Sequence, residues 1–180
     1  PNGKGTSTYP NGKKYVGELK NGKYSGLGMI TWPNRKQYNG SFRNGLPNGQ
    51  GIFNFPDGKK YVGEFKNGNK HGKGKFIYDK IKYEGEFKNG AFDGIGTYCV
   101  LINSTVYKYY GQWKDSKKNG RIIFTINDFL DLNQKELKFS GYWTDDMPDM
   151  KAFNYWYHDD SGKFEKMNKY HDILNDMHLG

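Results

Sequence analysis

The sequence contains a single cysteine, Cys99, among its 180 residues. One thiol excludes an internal disulfide framework and is typical of proteins in a reducing compartment. No apolar run approaches the ~20 residues that a membrane-spanning helix needs, and no secretory signal sequence is recognisable. These absences favour a cytoplasmic location.

Aliphatic side chains are also scarce. Hydrophobic residues make up 34% of the sequence, and Tyr, Phe and Trp alone make up 17%, so any core must be built largely from aromatic rings. The 25 glycines fall at fixed places within a repeat, which argues against a low-complexity disordered chain. Because the chain begins at Pro1 inside a repeat, we expect it to be a fragment of a longer protein.

Motifs that mark common catalytic sites are missing. The sequence has no phosphate-binding loop, no His-Glu-x-x-His and no Gly-x-Ser-x-Gly, and its Gly-x-Gly pairs lack the third glycine of a dinucleotide site. His158, His171 and His178 lie near aspartates, but their spacing does not match a metal site. The sequence therefore predicts a protein that is not an enzyme and that holds no metal or cofactor.

What the sequence does contain is a repeat. A tyrosine, a glycine two residues later and an apolar residue two beyond that recur at intervals of about 23 residues, which indicates a repeat array. Arrays offer extended binding surfaces, so the repeat favours binding over catalysis. The copies are Tyr15-Gly17-Leu19, Tyr38-Gly40-Phe42, Tyr61-Gly63-Phe65, Tyr83-Gly85-Phe87, Tyr109-Gly111-Trp113 and a degenerate Phe139-Gly141-Trp143.

Each copy has the pattern of one β-hairpin. In the third, Tyr61, Gly63 and Phe65 alternate with polar or exposed positions, as in a strand with one buried face. Asn67-Gly68 is a strong hairpin-turn signal, and a second alternating segment follows. We therefore expect an all-β fold, an elongated single-layer antiparallel meander whose tyrosines and glycines form a structural framework.

The pattern Tyr-x-Gly-Glu-Phe/Leu-x-Asn-Gly-x-x-x-Gly-x-Gly resembles the MORN repeat (membrane occupation and recognition nexus). Tyr15 to Gly28 and Tyr61 to Gly74 match it fully, whereas the second copy has Ser41 in place of Glu and the fifth has Ile122 in place of the last Gly. The resemblance covers about residues 3–143. It implies a scaffold that links cytoskeletal, ciliary or membrane-associated components, with no catalytic residues in the repeat.

The last part of the chain departs from the repeat. We expect an array over 1–143 and a C-terminal cap over 144–180. Alternation at Phe153, Tyr155 and Tyr157 predicts a last strand, and apolar residues at helical spacing predict an amphipathic helix over 163–178. The helix would cap the open end of the array; the alternative is that it binds a partner.

Charge is distributed unevenly. Residues 1–126 carry a net charge of +14 and residues 127–180 a net charge of −5. Basic residues precede each tyrosine, and a second set precedes each Asn-Gly turn, so stacked hairpins would align them as two stripes. The first stripe comprises Lys13, Lys14, Arg35, Lys36, Lys59, Lys60, Lys80 and Lys82, and the second comprises Lys20, Arg43, Lys66 and Lys88.

The stripes have two interpretations. They are typical of a solvated turn edge that prevents strand-edge aggregation, and they would also attract anionic membrane lipid. We expect a protein partner within a larger assembly, with anionic lipid binding, or service as an accessory domain of a larger enzyme, as the alternatives. No nucleic acid is expected, because the aromatic residues belong to the hairpin face rather than to a basic groove.

Overall fold

The computed structural model of this chain describes residues 2–128, 136–149, 154–158 and 164–166. Within these ranges the structure has fifteen β-strands and no helix. The strands are β1 Gly3–Thr8, β2 Lys14–Lys20, β3 Lys23–Thr31, β4 Gln37–Arg43, β5 Leu46–Asn54, β6 Lys60–Lys66, β7 Asn69–Tyr78, β8 Ile81–Lys88, β9 Ala91–Ile102, β10 Thr105–Lys114, β11 Lys117–Asp128, β12 Glu136–Thr144, β13 Met147–Pro148, β14 Asn154–His158 and β15 Phe164–Lys166.

All the strands belong to one antiparallel sheet. Each of β1 to β12 pairs with its neighbours in sequence, β14 and β15 continue the sheet, and β13 pairs with β12. The predicted all-β, single-layer meander of hairpins is therefore confirmed. Its turns are also as expected, since Asn67 and Gly68 have φ of 51° and 87°, the left-handed values that favour an Asn-Gly turn.

The register aligns the repeat across the sheet. Equivalent glycines lie opposite one another on successive strands, so they form one continuous row, the glycine row. The row comprises Gly5, Gly17, Gly28, Gly40, Gly51, Gly63, Gly74, Gly85, Gly96 and Gly111, and it continues to Ile122 and Gly141.

A bulge interrupts the pairing inside each repeated hairpin. Counting outward from the Asn21-Gly22 turn would place Gly17 opposite Gly26, but the structure places it opposite Gly28. The extra residues are accommodated because Gly26 has φ of 58°, a conformation that residues with a Cβ rarely adopt. The alternation and turn signals of the sequence did not predict this bulge.

Part of the C-terminal region is described. The strand predicted at Phe153 to Tyr157 is confirmed as β14, which pairs with β12, but it is not the last strand, because β15 follows it. Residues 164–166 of the predicted helix form β15, paired with β14; backbone pairing along the β14 edge takes precedence there over the helical spacing of the side chains. The remainder of the predicted helix, 167–178, lies outside the described residues.

Strands also extend into the segment between the fifth and sixth copies of the repeat. β11 continues to Asp128 and β12 begins at Glu136, so residues 129–135 are the part of this segment that lies outside the described residues. Within the described part of the chain, no helix is long and apolar enough to cross a membrane.

Candidate functional site

One face of the sheet, the aromatic face, carries the repeat tyrosines. Tyr15, Tyr38, Tyr61 and Tyr83 are completely buried there. Each contacts a ring of its own or the following unit edge to face, at centroid distances of 4.9 to 5.6 Å. The resulting aromatic zipper runs Tyr15, Phe42, Tyr38, Phe65, Tyr61, Phe87, Tyr83, Trp113.

The tyrosines are buried because they lie across the glycine row. A Cβ on Gly74 would be 2.4 Å from the hydroxyl of Tyr61 and 2.6 Å from its ring, so the ring fits only where the side chain is absent. The Tyr61 hydroxyl donates a hydrogen bond to the carbonyl of Glu64 at 2.9 Å. Burial raises the pKa of Tyr38 to about 12, so these hydroxyls stay protonated donors at neutral pH.

The motif glutamate has a separate local role. A carboxylate oxygen of Glu64 accepts a hydrogen bond from the backbone N–H of Lys73 at 2.9 Å, directly after the bulge glycine Gly72. In the fifth unit the amide oxygen of Gln112 accepts the equivalent bond from the N–H of Arg121 at 3.3 Å. The side chain after the repeat glycine therefore stabilises the bulge.

The fifth unit shows what happens when the glycine row is interrupted. Ile122 is completely buried at a glycine position, and Tyr109 is only half-buried. The Tyr109 ring instead stacks on Phe124 at a centroid distance of 4.4 Å, and burial raises its pKa to about 12. Trp113 still joins the fifth unit to the fourth, since its indole N–H donates a hydrogen bond to the carbonyl of Gly96 at 3.1 Å.

Beside the zipper, the aromatic face carries rings that are only half-buried. They stack on one another, as Phe53 does on Trp32 at 5.6 Å and on Phe55 at 4.5 Å. The sheet provides no second layer over them within the described residues. This outer aromatic group comprises Trp32, Phe53, Phe55, Phe76, Tyr78 and Tyr98.

The first predicted basic stripe is divided between the two faces. Lys13, Lys36 and Lys59 extend over the aromatic face, with ammonium groups 4.5 to 5.9 Å from ring centroids. The register places Lys60 in one row with Lys14 and Lys82 on the opposite face, while Arg35 and Lys80 lie in turns.

Some of these charges are already neutralised. Lys59 forms a salt bridge with Asp57 at 2.9 Å, and Lys82 forms one with Glu84 at 2.9 Å. The second stripe differs, since Lys20, Arg43, Lys66 and Lys88 are exposed and form no salt bridge with any described residue. The edge formed by the Asn-Gly turns is thus the more available cationic surface.

Lys70 is not among the residues predicted from the sequence to form a site. Its side chain is half-buried on the aromatic face, and its ammonium lies 5.7, 5.1 and 5.8 Å from the ring centroids of Tyr61, Phe76 and Phe87. Burial lowers the pKa of Lys70. The signal was present in the alignment of the units, which places Lys70 where the first and fourth units have Tyr24 and Phe92.

The described residues contain no group of three or more His, Cys, Asp and Glu side chains that could hold a metal ion. Comparison with protein families gives a match to the MORN repeat over six segments that together span more than half of the chain: residues 1–14, 15–36, 38–60, 61–80, 83–99 and 109–121. The degenerate sixth copy lies beyond these segments, although the register keeps Gly141 opposite Ile122. A search of curated proteins found no match.

Proposed function

We propose that this chain, which belongs to the MORN-repeat family, is a non-enzymatic scaffold that binds a segment of a protein partner along its aromatic face. MORN repeats are interaction modules for proteins and membranes. We place the interaction in the cytoplasm, between cytoskeletal or membrane-associated components of a larger assembly. The repeat framework over 1–143 would present the face, and residues 144–180 would cap its end.

The outer aromatic group is the observation that supports this proposal. Half-buried rings such as Phe53 and Phe76 provide apolar area that a partner side chain can cover, and aromatic residues are enriched at the centres of protein interfaces. The ammonium of Lys36 lies over Phe53 and Phe55 and adds positive charge beside the apolar surface. A surface of this composition suits a segment with both apolar and acidic side chains.

A photo-crosslinking experiment tests the face that is used. A benzophenone amino acid replaces Phe55 on the aromatic face or, as the matched control, Tyr110, which is 47% exposed and lies on the opposite face. Irradiation in cell extract should give specific protein adducts from position 55 and few from position 110. Adducts from position 110 alone would contradict binding along the aromatic face.

The exposed cations of the Asn-Gly turns support a second function, peripheral binding to anionic membranes. Each well-placed cation contributes roughly 1 kcal/mol at a membrane that contains anionic lipid. Flotation with phosphatidylserine vesicles should show binding that salt weakens and that is lost when Lys20, Arg43, Lys66 and Lys88 become Glu. The comparison is a variant in which Lys13, Lys14, Lys59 and Lys60 become Glu. If both variants lose vesicle binding equally, net charge alone is responsible. If the native chain does not bind the vesicles, this function is excluded.

The remaining alternative, an accessory domain of a larger enzyme, depends on residues outside this chain. The sequence of the full transcript would decide it directly. If a catalytic domain adjoined the array, the aromatic face would position that domain by binding the same kind of segment, one with apolar and acidic side chains.

A further inference from the structure

Lys70 occupies a position where other units place an aromatic ring. The register pairs Tyr24 with Leu19, Pro47 with Phe42, Lys70 with Phe65, Phe92 with Phe87 and Lys118 with Trp113. In the first and fourth units this residue stacks on the repeat tyrosine, with centroids 3.8 Å apart for Tyr24 on Tyr15 and 3.7 Å apart for Phe92 on Tyr83.

In the third unit the ring is replaced by a charge. The ammonium of Lys70 lies among three rings, and no carboxylate of the described residues forms a salt bridge with it. A half-buried cation loses hydration, and aromatic faces compensate only part of that loss. An anion from outside the chain would compensate the rest.

The fifth unit shows the same arrangement with the anion supplied. The ammonium of Lys118 lies 4.6 and 4.7 Å from the ring centroids of Tyr109 and Trp143. It also forms a salt bridge of 3.3 Å with Asp146. A lysine over paired rings in this fold therefore accepts a carboxylate side chain without disturbing the sheet.

We propose that Lys70 is a specificity-determining residue of the aromatic face and binds an Asp or Glu side chain that the partner segment presents between apolar side chains. This inference rests on the proposed function. A carboxylate suits the site better than a phosphate, because a single, half-buried ammonium among rings matches one charge with apolar neighbours. The exposed cations of the Asn-Gly turns are better suited to a doubly charged, strongly hydrated group.

Peptides selected on the intact chain provide the probe. A phage-displayed library of random 16-residue peptides is selected against the protein. A peptide is assigned to the aromatic face when it blocks crosslinking from the benzophenone amino acid at position 55. Aromatic-face binders should share an Asp or Glu flanked by apolar residues. Their affinity should fall at least about tenfold for Lys70→Met, which retains the length and apolar stem of the side chain.

Lys118→Met is the matched control. It removes a lysine that also lies over two rings but is already paired with Asp146, so peptide affinity should stay within about twofold. Replacing the shared peptide carboxylate by Gln should weaken binding to the native chain and have no effect on Lys70→Met, since the two changes remove the same contact. The Lys70→Glu variant should bind a peptide in which the shared Asp or Glu is replaced by Lys more tightly than it binds the original peptide.

Titration of the lysine gives a readout that does not depend on affinity. A bound carboxylate favours the charged ammonium, so the NMR-detected pKa of Lys70 should rise when an acidic peptide binds. Binders that lack a shared acid, or that bind Lys70→Met as well as the native chain, would overturn the inference and leave the proposed face intact. Failure to obtain any peptide that binds the aromatic face would overturn both this inference and the proposed function.

Discussion

At the scale of single residues, the fold depends on the fit between a tyrosine and two glycines. Tyr61 is completely buried because Gly63 and Gly74, paired across the hairpin, leave its ring room to lie against the backbone. The hydroxyl then donates to the carbonyl of Glu64. Burial and a satisfied donor occur together, which is the arrangement that makes a buried polar group stabilising.

Substitution of a row glycine should therefore be costly. In Gly74→Ala the new Cβ would approach the Tyr61 hydroxyl to 2.4 Å, and we expect a loss of about 1–3 kcal/mol in the free energy of unfolding, typical of overpacking. Gly5→Ala is the control in the same row, because its nearest neighbour is Leu19 at 3.8 Å. Urea unfolding measures both, and equal stabilities for the two variants would contradict the packing argument.

The buried tyrosines should also make stability depend on alkaline pH. The pKa of Tyr38 is raised to about 12 in the folded chain from about 10 when unfolded. Below pH 10 both states are protonated, so this contribution is fully present. Between about pH 10 and 12 only the unfolded state releases the proton, so stability falls.

Comparison with Tyr38→Phe isolates the effect. The variant lacks the hydroxyl that donates to the carbonyl of Ser41 at 2.9 Å, so it should be less stable than the native chain at pH 8. The difference should shrink from pH 10 towards pH 12 as the native chain loses its advantage. A difference that stays constant over this range would show that Tyr38 ionises normally. Phenolate absorbance of the folded protein provides an independent measurement.

At the scale of the hairpin, the bulge determines how the two strands align. Glu64 supplies an acceptor for the N–H of Lys73, and Gly72 supplies the left-handed backbone with φ of 59°. A carboxylate and a bulge glycine therefore act together, although five residues of strand and a two-residue turn separate them in sequence.

The bulge leads to a prediction about charge. Glu64→Ala should lower the free energy of unfolding by about 1 kcal/mol, the usual net value of one hydrogen bond. Glu64→Gln should be close to neutral, because Gln112 makes the equivalent bond in the fifth unit. Thermal or urea unfolding distinguishes the two, and equal destabilisation by Gln and Ala would show that the negative charge matters rather than the acceptor.

Much of the hairpin follows from the sequence, because alternation and Asn-Gly turns are local signals. The bulge does not, since Gly26 and Gly28 fit an uninterrupted strand equally well when only period two is considered. Lys70 was missed for a related reason: it follows a turn, and its place on the aromatic face comes from the register with Phe65 rather than from the alternation of its own segment. Properties set by pairing between strands require the pairing to be known.

At the scale of the whole molecule, each unit in the described ranges pairs its strands only with those of its neighbours in the sheet order. Equivalent positions of adjacent units have equivalent partners, as Phe42, Phe65 and Phe87 show in the zipper. Such an array is close to a one-dimensional chain of units, with stability summed over units and their junctions.

Removal of one complete unit should therefore leave a folded protein. Deleting residues 38–60 joins Gln37 to Tyr61 and preserves both strand direction and register. We expect a cooperative transition with a smaller m-value in urea, because less surface is exposed on unfolding. Deleting residues 38–48 instead removes one strand of a hairpin and brings β3 and β5, both second strands of the repeat, side by side, so this control should lose cooperative unfolding. If both deletions behave alike, the units are not independent.

The glycine row also separates two properties of the aromatic face, its cross-section within one unit and its length along the array. Tyrosine rings lying on glycines give every regular unit the same profile, whereas the number of units determines how far the surface extends. At about 10 Å per unit, the four steps between units from Tyr15 to Trp113 extend roughly 40 Å, the length of a helix of about 27 residues or an extended peptide of about 12. Under the proposed function, the number of units would therefore set the length of the partner segment that the face can bind.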